Sequence, residues 1–311
     1  MSGRVIDVPA EVRGKALAVG DRGRRWLEDL ADVVAGLERD WNVVVGATLR
    51  GGSDAFVAEA VTADGRATVL KVALPWNAAS HQIDTLLRAG GRGYTLLLRH
   101  DVGRQAMLQE RLGAPLATLG LPVAVQLQVI CATLQQAWAV EPDPSFRSGA
   151  DHVAWLADFI AATWRQLGSP CPERVVDLAL SFAEERRRAF DPGAAVLVHG
   201  DAHAWNTLLD LERPESGAPR FKLIDPDGLF AEPACDLAVP MREFSDELLA
   251  APDPLRAAKE RCAFLSHLTG VDPQAIWAWG YIERVSTGLL AMRAGLEQIG
   301  ADMLAVAAAI V

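Results

Sequence analysis

Between Val196 and Leu209 the chain reads Val-Leu-Val-His-Gly-Asp-Ala-His-Ala-Trp-Asn-Thr-Leu-Leu. Two short apolar runs, each the length of a buried strand, enclose a loop that carries His199, Asp201, His203 and Asn206. Taking a polar group out of water without a partner costs roughly 2–7 kcal/mol. A fold that buries the flanking strands must therefore pair these loop groups or put them to use. The pattern returns sixteen residues after Asn206, in Lys222-Leu-Ile-Asp225-Pro-Asp-Gly228, an apolar strand ending in an acidic turn. Taken singly, Asp201 reads as a turn-capping residue and Asp225-Pro226-Asp227-Gly228 as an ordinary turn. Taken together, in this order and with strands beside them, they read as one chemical site.

The spacing has a chemical meaning. His199-Gly200-Asp201, four residues and then Asn206 reproduces the interval in protein kinases between the catalytic Asp and a metal-binding Asn. Asp225 falls where those enzymes carry the Asp of Asp-Phe-Gly. Phosphoryl transfer from ATP needs cations against the phosphates, and Mg2+ takes hard oxygen ligands. Asn206 and Asp225 offer one neutral and one anionic oxygen donor, and Asp201 is the candidate to accept the proton of an attacking hydroxyl. No Ala-Pro-Glu follows Asp225, which disfavours a protein substrate.

The remainder of the chain is read around that site. Trp26, Leu27, Leu30, Val33, Val34 and Leu37 recur at helical spacing, so residues 1–40 are predicted as an amphipathic helical lead-in. The runs WNVVVGATLR, AFVAEAVTA and ATVLKVAL then predict three sequential antiparallel strands, the last two joined through Asp64-Gly65. A helix over 79–89 and two further strands, YTLLLRH and QAMLQERL, follow. Beyond a linker, helical spacing dominates 122–140, 151–167, 172–190 and much of 255–311. Lys71 interrupts the apolar strand Val69–Leu74, and a Lys in that setting needs an anionic partner such as a phosphate. The loop Arg50-Gly51-Gly52-Ser53-Asp54 lies where a phosphate-covering loop belongs, although it lacks Gly-x-Gly-x-x-Gly and equally reads as a hairpin turn.

At 50% apolar and 23% charged residues the 311-residue chain has the balance of a globular protein and is not disordered. A net charge of −10 disfavours nucleic acid as a partner and accommodates a cationic ligand. No apolar run approaches the roughly 18 residues of a membrane span, and the N-terminus has no apolar core of signal-peptide length. Cys131, Cys171, Cys235 and Cys262 are far apart with no Cys-x-x-Cys, the usage of reduced thiols in a cytoplasmic protein. No obligate protein partner is expected.

With these residues in view the chain resembles the aminoglycoside phosphotransferases of the protein-kinase-like fold, and within them the streptomycin and hydroxyurea phosphotransferase branch. The motifs that carry the resemblance are His-Gly-Asp-x-His-x-x-Asn at 199–206, Ile-Asp-Pro-x-Gly at 224–228 and Glu-Pro-x-x-Asp-Leu-Ala at 232–238, and it spans roughly residues 45–245. It implies an α+β fold of two lobes, an antiparallel-sheet N-terminal lobe over 1–112 that binds nucleotide and a mainly helical C-terminal lobe over 113–311 with the catalytic and metal loops and the acceptor pocket. It implies ATP and Mg2+ as cofactors, Asp201 as the catalytic base, Asn206 and Asp225 as metal ligands, and Lys71, Gly52 and Ser53 as phosphate contacts. Glu110 through Leu112 become the hinge whose backbone pairs with adenine, and Asp236 a brace for the catalytic loop. The chain departs from the pattern at Gln82, where the helix after the third strand is expected to carry Glu; Asp84, two positions on, points to another helix face.

The expected activity is phosphorylation of a hydroxyl on a small cationic acceptor, an aminoglycoside such as streptomycin. The alternatives are a kinase of a sugar or amino-alcohol metabolite and a catalytically impaired nucleotide-binding pseudokinase. The acids after the metal turn, Asp227, Glu232, Glu243, Asp246 and Glu247, read either as a wall facing a cation or as a solvated helix face.

Overall fold

The computed structural model describes residues 6–52, 54–75, 79–212 and 220–311. The chain divides into two compact units, one running to Gly113 and one from Ala114 onward, with Leu211 and Glu212 grouped in the first.

The first unit opens with α1 (Ala10–Ala18) and α2 (Asp21–Trp41), so the lead-in is two helices rather than one. They precede β1 (Val43–Thr48), β2 (Ala55–Thr62) and β3 (Ala67–Ala73); α3 (Ala79–Ala89), β4 (Leu97–Asp101) and β5 (Ala106–Glu110) follow. The strands form one antiparallel sheet in the order β1-β2-β3-β5-β4. Leu30, Val34 and Leu37 of α2 pack with Val43, Val45, Phe56, Leu70, Val72 and Leu108, so the helix covers one face of the sheet. Side chains alternate along a strand. Lys71, between Leu70 and Val72, therefore points to the opposite face, in register with Val57 and Met107. The indole of Trp26 donates to the carbonyl of Ala73 (3.0 Å) and pins α2 to the end of β3.

The second unit is helical around two small ribbons. Its early helices are α4 (Val123–Ala137), α5 (Gly149–Gln166) and α6 (Glu173–Ala189). Four three-residue strands follow: β6 (Val196–Val198), β7 (Thr207–Leu209), β8 (Phe221–Leu223) and β9 (Leu229–Ala231). The strands flanking each acidic loop do not pair with each other. Instead β6 pairs with β9 and β7 with β8, both antiparallel. Loops 199–206 and 224–228 thus both cross from one ribbon to the other, which lays them side by side.

The helices after the ribbons are α7 (Ala234–Arg242), α8 (Ser245–Ala250), α9 (Pro254–Thr269), α10 (Pro273–Arg293) and α11 (Glu297–Ala309). The long helical run at the C-terminus is broken because Gly270 closes α9 in the left-handed conformation (φ 75°), which glycine adopts without a Cβ clash. Ile276, Trp279, Ile282, Val285 and Leu289 of α10 are almost fully buried, which makes it the central helix of this unit. Among the described residues no helix is long and apolar enough to cross a membrane. All four cysteines are buried thiols outside any disulfide.

Gly280 lets α10 approach α7 closely: a Cβ there would lie 2.6 Å from the Cβ of Met241. Overpacking a tight contact typically costs about 1–3 kcal/mol. Gly280→Ala is expected to destabilise the protein by that amount, measured by the shift of the denaturant midpoint at unchanged slope.

Candidate active site

Asp236 on α7 is completely buried and organises the first acidic loop. One of its oxygens accepts the N–H of His199 (3.0 Å) and the indole N–H of Trp138 (2.8 Å), and the other accepts the N–H of Gly200 (2.8 Å). Burial raises its carboxyl pKa despite these donors. His199, equally buried, ties the two loops together. Its Nε2–H donates to the carbonyl of Ile224 (2.8 Å) and its Nδ1 accepts the N–H of Asp201 (3.0 Å), partners that fix the orientation of the ring. Its carbonyl accepts the N–H of Asp227 (2.8 Å), and the carbonyl of Asn206 accepts that of Ile224 (2.9 Å). At Gly200 the backbone is left-handed (φ 90°) and a Cβ would sit 2.9 Å from the Cβ of Asp227, so only glycine fits.

This frame brings Asp201, Asn206 and Asp225 onto adjacent loops. The amide of Asn206 donates to the carbonyl of Asp201 (3.0 Å), so its Oδ1 is the atom with metal-ligand chemistry. Asp225 adopts φ 59°, a region that few residues other than glycine tolerate and Asp enters more readily than most. Backbone held there at the end of a strand is a mark of a functional position. One carboxylate and one amide oxygen suit Mg2+, which keeps waters and takes substrate phosphates as its remaining ligands. Among the described residues no group of three or more His, Cys, Asp or Glu is assembled to hold a metal outright.

The carboxylate of Asp201 is held from two sides. Oδ1 accepts Nη2 of Arg242, the last residue of α7, at 2.5 Å, and Oδ2 lies 3.3 Å from Nε2 of His203. Burial works to raise its pKa, but His203 and the positive charge of Arg242 outweigh it and hold the carboxyl well below the usual range. The other arm of Arg242, Nη1, donates to Glu283 of α10 at 2.8 Å. Burial opposes the charge of Arg242, yet Asp201 and Glu283 raise its pKa above the ordinary arginine value.

The expected nucleotide contacts of the first unit are placed separately. Lys71 is buried in the middle of β3. Gly52 is exposed in the β1–β2 connection, whose far side is fastened by Lys15 of α1 to Asp54 (3.0 Å); Ser53 lies outside the described residues. Glu110 ends β5, its N–H bonded to the carbonyl of Leu96 (3.0 Å) and its carboxylate accepting the N–H of Leu96 (2.7 Å). Leu112 is buried just before the chain enters the second unit. On α3, Gln82 is half-buried and Asp84 exposed, so Asp84 does not take the place of the expected Glu.

A sequence profile described as aminoglycoside/hydroxyurea antibiotic resistance kinase matches residues 40–295, most of the chain. The chain belongs to this family. It is 27% identical over 282 residues to streptomycin 6-kinase of Streptomyces glaucescens, covering 89% of this chain and 88% of the relative. Hydroxyurea phosphotransferase of Kitasatospora aureofaciens is also 27% identical, with 89% and 78% covered. In fold the kinase is similar to the choline kinase of Streptococcus pneumoniae, with a TM-score of 0.58 at 15% identity over 90% of this chain and 98% of the other. The structure of that choline kinase in complex with AMP is similar at a TM-score of 0.53 and 12% identity, covering 89% of this chain and 98% of the other. The protein is thus a small-molecule kinase, a phosphotransferase with an alcohol group as acceptor.

Two residues of the kinase's site escaped the sequence reading. Arg242 follows Met241 at the end of α7 with no pattern in the sequence that marks it. Glu283 did leave a signal, an acidic side chain inside the apolar run Trp-Gly-Tyr-Ile-Glu-Arg-Val of α10. Of the acids after the second acidic loop, Glu232 accepts the indole of Trp279 (2.7 Å) and pairs with Arg186, Glu247 pairs with Arg261 (2.5 Å), and Glu243 lies 3.6 Å from Nε of Arg242. Asp227 is exposed against Gly200, beside Asp201 in the chain.

Asp236→Asn replaces a carboxylate oxygen by an NH2 that faces backbone or indole donors. A buried group left unsatisfied costs about 1–3 kcal/mol. The kinase is expected to lose that much stability by urea titration and, because the loop loosens, to turn over more slowly.

Proposed function

We propose that this kinase transfers phosphate from ATP, with Mg2+, to a hydroxyl of an aminoglycoside-type cation such as streptomycin. The observation that carries this reading is the pair of zipped loops that hold Asp201, Asn206 and Asp225 together in a chain whose relatives include streptomycin 6-kinases. Asn206 and Asp225 are the residues that would hold Mg2+, which supplies positive charge to the phosphate oxygens during transfer. In the family reading Lys71 is the residue that would meet the phosphates, Gly52 belongs to the loop that would cover them, and the backbone of Glu110–Leu112 would receive the adenine edge. Nucleotide use is supported by the AMP-bound structure of a choline kinase with the same fold.

Asp201 accepts a hydrogen bond from the acceptor hydroxyl and takes its proton as the oxygen bonds to phosphorus. A carboxylate held far below its usual pKa is a weak proton sink at the outset. That matches a loose transition state, in which the nucleophile's proton leaves late and the carboxylate first serves to aim the oxygen. Asp227, exposed next to this carboxylate, adds negative charge on the side where a cationic acceptor would sit.

The decisive experiment is Mg·ATP-dependent phosphorylation of streptomycin compared with neutral polyols across a salt series. Exposed charge pairs are screened over about 8–10 Å at 0.1–0.15 M salt, so a rising KM for streptomycin with salt is expected. A best acceptor that is neutral and indifferent to salt would replace the antibiotic reading by the metabolite one. Asp201→Asn is expected to lower turnover about 10²–10⁴-fold with nucleotide affinity retained. Asp225→Ala is expected to abolish turnover and the Mg2+-dependent part of ATP binding, read by calorimetry with and without the metal.

A further inference from the structure

Helix α7 holds the catalytic loop at two points. Asp236, in its first turn, grips the backbone of His199 and Gly200, and Arg242, at its last residue, grips the side chain of Asp201. Six residues separate the two, about 9 Å along a helix axis. The second grip has features of a built device. The side chains of Arg242 and Glu283 are only 11% and 10% exposed, while that of Asp201 is 36% exposed, so the chain of charges runs from the interior outward and ends on the reacting carboxylate. The two arms of the guanidinium go to different carboxylates, Nη2 to Asp201 and Nη1 to Glu283. Glu283 is itself held, its other oxygen 3.8 Å from Nε2 of His152 on α5. Nε of Arg242 has no hydrogen-bond partner among the described residues, the carboxylate of Glu243 lying 3.6 Å away. The planar fork is thus spent on linking α10 to Asp201.

We propose that Arg242, anchored by Glu283, is a positioning residue that fixes Oδ1 of Asp201 and so, with His203 3.3 Å from Oδ2, sets the plane in which Oδ2 meets the acceptor hydroxyl. This rests on the reading of Asp201 as the carboxylate that receives that hydroxyl. A carboxylate on a single χ1–χ2 pair can rotate, and a rotation moves the accepting oxygen by more than the tolerance of an in-line attack, where misplacement by about 1 Å costs on the order of 100-fold in rate. The Arg fork removes that freedom. Lysine does not do the same, because its single ammonium on a flexible stem lacks the planar fork that sets the direction of each hydrogen bond.

The test uses Arg242→Lys, which keeps the buried positive charge, together with Asp201→Asn and the double variant. The first readout is the crystal structure of Arg242→Lys, in which the Asp201 carboxylate is expected to leave its wild-type rotamer; an unmoved carboxylate overturns the proposal. The second is a kinetic cycle with streptomycin as acceptor and background ATP hydrolysis followed in parallel. Arg242→Lys is expected to lower kcat about 10–100-fold with KM for Mg·ATP unchanged. In the Asp201→Asn background it is expected to add less than about a twofold loss, because groups that act as a unit are not additive. A loss that multiplies in full with that of Asp201→Asn, or one confined to KM for Mg·ATP, overturns the positioning role. Near-wild-type turnover of Asp201→Asn overturns the reading of Asp201 itself, and the crystal structure then still decides whether Arg242 holds its side chain. If Arg242→Lys does not fold, Glu283→Ala, which removes the acceptor for Nη1 and so the anchor, takes its place with the same pattern expected.

Discussion

Asp236 accepts three hydrogen bonds in a place that water does not reach, and the geometry of the second unit follows from it. A carboxylate taken out of water is tolerated only when its lone pairs are met. Here two of the donors are backbone N–H groups at the start of the catalytic loop, so satisfying the buried charge and fixing the loop are the same act. Asp236 is in turn fixed by α7, which lies close against α10 because Gly280 offers no Cβ to Met241. The position of this loop is thus tied to α7 and α10 as well as to the loop's own hydrogen bonds.

Between the two acidic loops the work is done by backbone rather than by side-chain charge. His199 closes one end with its ring and its carbonyl, and the hydrogen bond from Ile224 to Asn206 closes the other. This leaves the ionisable groups at the centre, Asp201 and Asp225, on a frame that does not depend on their own protonation. Three residues of these loops have left-handed backbone, Gly200, Asp225 and Gly228, and of the three only Asp225 carries a Cβ and is strained by it. Such strain persists only where the surroundings over-determine it, and here the ribbons β6–β9 and β7–β8 do so from both ends.

What the sequence revealed and what it hid divide along a physical line. The alternation of Val69–Leu74 and the Asp64-Gly65 turn are local, and the sheet of the first unit follows from them. The polar loop between apolar runs made Asp201, Asn206 and Asp225 candidates because their chemistry depends on spacing along the chain. The exchange of partners, β6 with β9 instead of β7, is a long-range choice that three-residue strands cannot announce. The break of the lead-in into α1 and α2 was missed because amphipathic spacing persists through much of α2 while α1 carries little of it. Arg242 was hidden for a different reason. Its role is set by Asp201, 41 positions away in one direction, and by Glu283, 41 in the other, and no periodicity links the three. Asp201 stands out by its polar loop and Glu283 is a carboxylate in a largely apolar helix, but Arg242 has no local signal of either kind.

The chain of charges Asp201–Arg242–Glu283 is not explained by stability. Desolvating each ion costs several kcal/mol even after relaxation, and replacing a buried ion array by well-packed apolar residues is often neutral or stabilising by about 1–4 kcal/mol. The helix α10 could accommodate such packing, since Ile282, Val285 and Leu289 already fill the interior around it. What apolar residues cannot do is hold a carboxylate at a fixed angle, as Arg242 on Oδ1 and His203 beside Oδ2 hold that of Asp201. An array that is indifferent for folding but specific in direction is what a site that must aim an oxygen requires. The charge count runs the same way: one guanidinium between two carboxylates leaves one negative charge uncompensated by Arg242, and Asp201 is the more exposed of the two.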